Sequence, residues 1–228
     1  MVEPDAVDEQ PPAIVAADIS VTGPWGPVYG PLSLEIPRGG LSVLLASPGA
    51  WRTALLLTLS GRMKPSDGTL TVLGETDVRT VFATCALAGV DELDAVDESV
   101  TVGDLLTEKL RWDAPWYRLV RRAGDAELAR VCGPVFGALP LPELHSYVEE
   151  LGELDALLLR VALANTLAPP LLVVGGVDQL AEDQSRAELV RRLAELGQRQ
   201  TVVTTSANPV PDGLGVRTQL PLAQKDGV

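Results

Sequence analysis

Three short segments without charged residues, each typical of a buried strand, constrain the fold of this chain more than any other feature. They are LSVLL at 41–45, LLVVGG at 171–176 and TVVTTS at 201–206. Runs of this kind are typical of strands covered on both faces, as in a parallel sheet. Helical patterns lie between them, including RTALLLTLSGRM, which Gly61 closes, and SRAELVRRLAELG at 185–197. The alternation predicts an α/β domain with a largely parallel sheet.

The N-terminal third adds a different pattern. AIVAADISV begins at Ala13 and alternates apolar and polar residues, and a Gly/Pro-rich turn (GPWGPVYGP) leads to a second alternating run, LSLEIP. This predicts an antiparallel pair of strands. TLTVLG, after the turn at 66–68, predicts a further strand, and Thr101 opens a more helical region that extends to about Leu167.

Charge and reactive residues exclude several classes of function. The chain has 18 basic and 31 acidic residues and a net charge of −13, which disfavours nucleic-acid binding. Cys85, Cys132 and His145 are its only Cys and His residues, so we expect no Cys/His zinc site and no metal site. We expect His145 to be a partly exposed helix or loop residue rather than a catalytic one.

The most apolar stretch, 154–177, raises the question of a membrane span. It contains Asp155, Arg160, Asn165 and a Pro-Pro pair at 169–170, so we interpret it as a helix followed by a buried strand. The first residues lack the basic-then-apolar order of a signal peptide. We therefore expect a soluble, cytoplasmic protein with reduced thiols.

The order of these parts from Ile14 to Leu222 resembles the ATP-binding domain of ABC transporters, a P-loop NTPase family. SLEIPRGGLSVLLASPGAWRTALLLTLSGRMKPSDGTLTVLG (33–74) is similar to that family's strand, phosphate loop, first helix and next strand, without a gap. RVALANTLAPPLLVV (160–174) is similar to the helix after the family signature and the strand that follows. The resemblance covers about nine tenths of the chain.

The resemblance implies an ABC-ATPase-like core of mostly parallel sheet flanked by helices, an N-terminal antiparallel β portion and a helical subdomain. The expected boundaries are a disordered acidic lead-in at 1–12, an ATPase-like domain at 13–222 and a tail at 223–228. Within the domain, the core is expected at 13–86 and 166–222 and the helical subdomain at about 87–165.

The phosphate loop departs from the family pattern. The family binds phosphates through backbone N–H groups of a Gly-rich loop, a Lys and a Ser/Thr that holds magnesium. Here only Gly49 and Thr53 match, Ala46 replaces the first Gly, Arg52 replaces the Lys and Trp51 replaces the last Gly. The eight positions are Ala46, Ser47, Pro48, Gly49, Ala50, Trp51, Arg52 and Thr53.

Two readings of this loop stay open: a residual anion-binding loop, and a strand-to-helix turn that has lost its ligand. Whether Trp51 points into the phosphate site or away from it also stays open. If the indole occupies the loop, Trp51→Gly should restore some anion affinity.

The remaining chemical positions are lost as well. Gly175 and Gly176 stand where the family has the Asp and Glu that hold magnesium and activate water, and Ser206 stands at the position of the switch histidine. Asp178 lies just beyond the glycines, either as a turn or cap residue or as a substitute acid. The signature motif is absent from both registers of 151–157, and no Gln occurs at 86–90, where the family senses the γ-phosphate.

Two aromatic residues upstream of the phosphate loop, Trp25 and Tyr29, are candidates for stacking on adenine, or are hydrophobic plugs of a Gly/Pro turn. Two surfaces are candidates for partner contacts. The acidic run 91–98 lies where the family faces its membrane subunit. The segment 110–117 (LRWDAPWY) beside RLVRR (118–122) is either a docking surface or an ordinary helix pair.

These losses fall at chemical positions, while the apolar framework is intact. The expected function is therefore a pseudo-ATPase that partners an integral membrane transport subunit, as a homodimer or beside an intact ATPase, peripheral on the inner face of the membrane. No cofactor is certain, and weak binding of ATP and Mg is the residual expectation. The alternatives are a working ATP hydrolase with an atypical phosphate loop built on Arg52 and Thr53, and a soluble interaction module.

Overall fold

Two sheets organise the residues that the computed structural model describes, which are 10–90, 93–94 and 99–222. The strands are β1 (Ile14–Gly23), β2 (Gly26–Ile36), β3 (Gly40–Leu45), β4 (Asp67–Val72), β5 (Cys85–Ala88), β6 (Leu171–Val174), β7 (Thr201–Ser206) and β8 (Val216–Pro221). The helices are α1 (Ala50–Leu59), α2 (Val78–Thr84), α3 (Val102–Asp113), α4 (Asp125–Phe136), α5 (Glu153–Ala164) and α6 (Asp183–Gly197).

The larger sheet has five strands in the order β5-β6-β7-β3-β8, and all of its strand pairs are parallel. Every residue of β6 and β7 is buried. This burial explains why β6 is wholly apolar and why β7 has no charged residue. Leu45 pairs with Ser206, so β3 and β7 end at the same edge of the sheet. The predicted parallel sheet is confirmed, and its strand ends bring distant loops together.

The smaller sheet has the order β2-β1-β4, and both of its strand pairs are antiparallel. The predicted antiparallel pair is β1 and β2, and TLTVLG supplies most of β4. This sheet adds a β layer to the parallel sheet and to α1, so the predicted α/β class with an antiparallel portion is confirmed.

Alternate residues of β6 point into two different apolar clusters. Leu171 and Val173 join the cluster that contains Trp51 and Leu55 of α1 and the antiparallel sheet. Leu172 and Val174 join the cluster that contains residues of α3, α4, α5 and α6. The helical region predicted after Thr101 is thus α3, α4 and α5, and α3 begins where the Thr101 side chain accepts a hydrogen bond from the Asp104 N–H. One cluster joins these helices to the sheet, and the boundaries of a helical subdomain stay a prediction.

Three elements are absent from the sequence prediction. α2 begins where the Asp77 carboxylate accepts the Thr80 N–H at 3.0 Å, and β5 follows it directly. β8 is partly exposed at the edge of the sheet. Most of the acidic run 91–98, most of the lead-in and the tail at 223–228 lie outside the described residues.

The stretch 154–177 divides between α5, β6 and the segments that follow each, as predicted. Among the described residues, no helix combines the length and the apolar character needed to cross a bilayer.

Candidate functional site

The loop between β3 and α1 lies at the edge where β3, β6 and β7 end. The Ala46 N–H donates to the Ser206 carbonyl at 2.9 Å, which joins the loop to the end of β7. Gly49 precedes α1 with φ of 149°, a backbone conformation that favours glycine. Because Gly49 has no side chain, no side-chain cap accepts the first N–H groups of α1. The Arg52 and Thr53 N–H groups donate to the Gly49 carbonyl, at 3.0 and 3.5 Å.

A cavity of about 350 Å³ opens beside this loop. It brings together the start of α1, the end of β5 and the loop after β6, three segments that are far apart in the sequence. Among the described residues, its lining contains no carboxylate; the lining residues are Ala50, Arg52, Thr53, Leu56, Gly89, Val90, Gly175, Gly176 and Gln179. Of the predicted phosphate-loop residues, Ala50, Arg52 and Thr53 line it.

Arg52, which replaces the family's Lys, is held by an internal ion pair. Its Nη1 atom donates to both carboxylate oxygens of Asp178, at 2.8 and 3.0 Å, and lies 3.4 Å from the Ala46 carbonyl oxygen. The two side chains are only 15% and 16% exposed, so water screens the pair weakly. Of the described residues that line the cavity, Arg52 is the one with a cationic side chain, and a carboxylate of the same chain thus neutralises it.

Asp178 lies in the 3₁₀ turn Val177–Gln179, so the turn placement is confirmed and its ion pair is new. The two partners are 126 residues apart in the sequence. A carboxylate that holds Arg52 in this way has little capacity left to bind magnesium. Thr53 then carries the one hydroxyl group among the described lining residues, and this described lining does not fit the preference of magnesium for several oxygen ligands.

The two glycines after β6 differ in how strictly their surroundings require them: Gly175 faces backbone, and Gly176 faces the ends of two flexible side chains. A Cβ atom added to Gly175 would lie 1.8 Å from the Gly89 carbonyl oxygen. A Cβ atom added to Gly176 would lie 2.5 Å from Asp178 Oδ1 and 2.8 Å from Arg52 Nη2. The space into which the family's acidic side chains would extend is therefore filled by the Gly89 backbone and by the Arg52–Asp178 pair.

Gln179 is a site residue that the sequence analysis did not identify. Its side-chain amide donates to the Gly176 carbonyl at 2.8 Å and to the Gly89 carbonyl at 3.3 Å. It ties the loop after β6 to the end of β5, close to where a γ-phosphate sensor is expected. No sequence signal marks it, because its contact with Gly89 spans 90 residues.

Trp51 lies with its side chain in the apolar core. It is 8% exposed and belongs to the cluster that contains Ala46, Leu55 and Ile14. Its Cδ1 atom lies 3.2 Å from the position of a Cβ added to Gly49, so the indole also packs against the loop. The cavity beside Arg52 is lined by other residues, and the indole acts as a core side chain that also supports the loop.

The two candidate adenine-stacking residues differ sharply in exposure. Tyr29 is 2% exposed, and its hydroxyl donates to Thr58 Oγ1 at 2.9 Å. Burial raises the pKa of Tyr29. This burial makes its ring unavailable for stacking, because the tyrosine is part of the core. Trp25 is 100% exposed in the turn between β1 and β2, and stacking on adenine stays a prediction for it alone.

The other predicted positions lie in loops and turns next to the helices and strands. Ser206 donates through its hydroxyl to the Asn208 carbonyl at 2.6 Å, within the turn after β7. Gly152 precedes α5 at the place of the lost signature. His145 lies on a loop, with its side chain 84% exposed and Nε2 2.9 Å from a Glu143 oxygen, as expected for a residue outside any site. Ser47 and Pro48 are exposed in the loop before α1.

The described part of the acidic run is engaged inside the molecule. The Asp94 carboxylate accepts the Gly89 N–H at 2.6 Å and forms an ion pair with Arg160 of α5. It thereby connects the segment after β5 to α5. A partner contact at 91–98 stays a prediction, and the Asp94 carboxylate is already paired within the chain.

A curated protein and solved structures are similar to this chain, although no family profile is. No protein-family profile matches the chain. The phosphonates import ATP-binding protein PhnC of Anaeromyxobacter dehalogenans is 26% identical over 224 residues, which are 89% of this chain and 42% of that protein. The chain thus spans less than half the length of this curated relative.

Two solved structures extend the comparison. CbiO1 of Clostridium perfringens, part of the ABC transporter complex cbiONQ, superposes with a TM-score of 0.68 at 14% identity, covering 87% of this chain and 80% of that one. An ABC transporter ATP-binding protein of Pyrococcus furiosus gives a TM-score of 0.66 at 17% identity, covering 92% and 96%. The resemblance seen in the sequence is confirmed: the chain has the α/β fold of the ATP-binding domain of ABC transporters.

Proposed function

We propose that this protein is a degenerate ABC-type ATP-binding subunit, a pseudo-ATPase, that serves as a structural or regulatory partner of a membrane transport complex. The relatives support the transport role: one is named as a phosphonates import protein, and another is part of a transporter complex. We place the protein at the inner face of the membrane, bound to an integral transport subunit, as a homodimer or beside an intact ATPase.

The observation that carries the proposal is the packing around the glycine pair. Loss of the two acids alone could reflect a simple substitution, which a reverse change would repair. Here the Gly89 carbonyl fills the space that a side chain at residue 175 would need, and the Arg52–Asp178 pair would have to move to admit one at residue 176. Because phosphoryl transfer relies on positioning and on electrostatic stabilisation, a site without these acids would lose most of its catalytic power.

A working ATPase with an atypical phosphate loop is the second candidate. It is favoured by Thr53, which lines the cavity beside Arg52, and by the uncapped start of α1, which suits an anion. For this function Arg52 would have to leave Asp178 and turn to the phosphates. A soluble interaction module is the third candidate, and it predicts a monomer that co-purifies with soluble proteins.

Calorimetric titration with ATP and ADP, with and without magnesium, tests the proposal. The proteins are the natural chain, Asp178→Asn and a control, Asp212→Asn, which removes an exposed carboxylate outside the cavity. We expect no detectable heat at millimolar nucleotide for the natural chain and the control, with folding verified by a melting transition. Asp178→Asn frees Arg52, so it is the variant in which weak anion binding should appear.

Micromolar binding by the natural chain would mean that Arg52, Thr53 and the loop backbone still form a nucleotide site. It would remove the support for a lost ligand and would favour the atypical ATPase. Co-purification only with soluble proteins, in the absence of any membrane subunit, would favour the interaction module instead.

A further inference from the structure

An exposed arginine–tryptophan patch lies at the end of α3 and in the segment that follows it. It consists of Arg111, Trp112, Trp116, Tyr117, Arg118, Leu119, Arg121 and Arg122. The apolar members are 79% exposed at Trp112, 96% at Trp116, 75% at Tyr117 and 91% at Leu119. Large side chains are seldom this exposed together on a folded surface without a binding role. Leu110, by contrast, packs against the core, so the predicted docking segment 110–117 is divided between core and surface.

The patch includes a concave, basic site. A cavity of about 330 Å³ is lined by four arginines and two acidic residues; the charged lining residues are Arg118, Arg121, Arg122, Arg130, Asp113 and Glu127. Leu119 and Leu167 also line it. Leu167 comes from the end of the α5 region and is itself 75% exposed. Arg122 is paired with Asp104 at 3.1 Å, and the Glu127 carboxylate accepts the Gly124 N–H. The guanidinium groups of Arg118 and Arg121 suit a phosphate group, because each presents a planar set of N–H donors.

The charge of the patch is opposite to that of the chain. Residues 111–122 contain four arginines and one aspartate, whereas the whole chain has a net charge of −13. The aspartate is engaged internally, because Asp113 accepts from Lys109 Nζ at 2.7 Å and from the Thr166 hydroxyl at 2.6 Å. In the described ranges, Arg111, Arg118 and Arg121 form no ion pair. Their charges are therefore available to an outside partner.

We propose that this patch binds the surface of an anionic phospholipid membrane, with lipid phosphates at the arginines and with the tryptophan and tyrosine rings at the headgroup level. Trp and Tyr favour that interface because their rings are apolar with one polar atom. Each Lys or Arg near an anionic surface strengthens binding by about fivefold. This contact goes beyond the proposed function, because it involves lipid rather than the transport subunit and needs no nucleotide.

Vesicle sedimentation with the full chain tests the proposal. Vesicles of phosphatidylcholine alone are compared with vesicles that also contain phosphatidylglycerol, without nucleotide. We expect binding to the anionic vesicles only, and weaker binding at high salt, because salt screens exposed charges. Arg118→Glu/Arg121→Glu should weaken binding at least about 25-fold, from two contributions of about fivefold.

A matched control keeps the net charge change but moves it elsewhere. Arg79→Glu/Arg199→Glu alters two exposed arginines outside the patch and should bind as the natural chain does, apart from a small general charge effect. Trp116→Ser keeps all charges and should weaken binding through lost apolar contact. Melting curves identify any variant that fails to fold. If the arginine variant is unfolded, Trp116→Ser still tests the proposal, because the Trp116 side chain is 96% exposed and its removal should not disturb the fold.

Four results would overturn the proposal: no binding to anionic vesicles, equal binding to both kinds of vesicle, equal losses in the patch and control variants, or binding only when the vesicles contain an integral membrane protein. Direct binding of soluble glycerophosphoglycerol, measured by calorimetry, without any vesicle binding would likewise overturn it, in favour of a soluble phosphate ligand. Because nucleotide is absent, failure here leaves the pseudo-ATPase proposal untouched, and the calorimetric titration judges that proposal separately.

Discussion

The backbone of Gly175 lies so close to Gly89 that a Cβ atom at residue 175 would stand 1.8 Å from the Gly89 carbonyl oxygen. The Gly175 N–H also donates to the Ala88 carbonyl at 2.9 Å, which fixes the two segments side by side. The ends of β5 and β6 therefore meet with no room for a side chain at the position where the ABC fold usually carries an acid.

Gly175→Ala should lower the free energy of unfolding by about 3 kcal/mol, because the methyl group meets backbone atoms that cannot rotate away. Gly133→Ala is the matched control, since this glycine lies inside α4 and a Cβ there meets nothing within 4 Å. The control should be neutral or up to about 1 kcal/mol more stable. Urea denaturation measures both, and equal stability of the two variants would contradict the packing described here.

Asp178→Asn should lower the free energy of unfolding by about 1–3 kcal/mol, because it weakens a charged hydrogen-bonded pair that is shielded from water. Asp212→Asn, at an exposed position, should change it by less than about 0.5 kcal/mol. A double-mutant cycle with Arg52→Met isolates the coupling between the two side chains. A coupling energy indistinguishable from zero would mean that Arg52 is free to bind an anion.

Trp51→Ala should destabilise the protein by about 3–5 kcal/mol, as expected for a large side chain in a packed core. Trp25→Ala removes a fully exposed indole and should change stability by less than about 0.5 kcal/mol. Because Trp51 packs in the core, we expect Trp51→Gly to lose stability without gaining phosphate affinity. A gain in affinity for phosphate would show instead that the indole occludes the loop.

Both thiols should be inert in the native protein. Burial raises the pKa of Cys85 to about 11 and that of Cys132 to about 12, so neither is a thiolate near neutral pH. A disulfide reagent at about pH 8 should label neither cysteine in the native chain and both in guanidinium chloride. Since these pKa values are raised in the folded state, their contribution to stability is complete below about 9 and falls as pH rises toward 11 and above. Rapid native labelling would contradict the burial.

Much of the framework could be predicted because strand burial leaves a direct mark on the sequence. LSVLL, LLVV and TVVTTS contain no charged residue because β3, β6 and β7 lie in the centre of the sheet. β5 and β8 left a weaker mark: they are the two edge strands of the sheet, β5 has the sequence CALA, and β8 is partly exposed. Short and edge strands carry less periodic signal, which explains why these two were missed.

The sequence predicted which chemical groups the site lacks, but it did not predict which residues contact one another there. Arg52, Gly175 and Gly176 stand out against the family pattern because each changes a chemical group at a known place. The partners of these residues, Asp178, Gln179 and Gly89, come from other loops, and only the strand order brings them together. A sequence without related sequences for comparison holds no record of such contacts.

The most direct test of the central claim is phosphate release from ATP and magnesium by the purified chain, alone and with any co-purifying subunit. The account predicts turnover that does not rise above the protein-free background and does not change in Thr53→Ala. Thr80→Ala, at an exposed position of α2, is the control. Activity from a contaminating ATPase would be the same in the natural chain, Thr53→Ala and Thr80→Ala. Magnesium-dependent turnover that Thr53→Ala abolishes and Thr80→Ala leaves intact would contradict the account and establish a working ATPase.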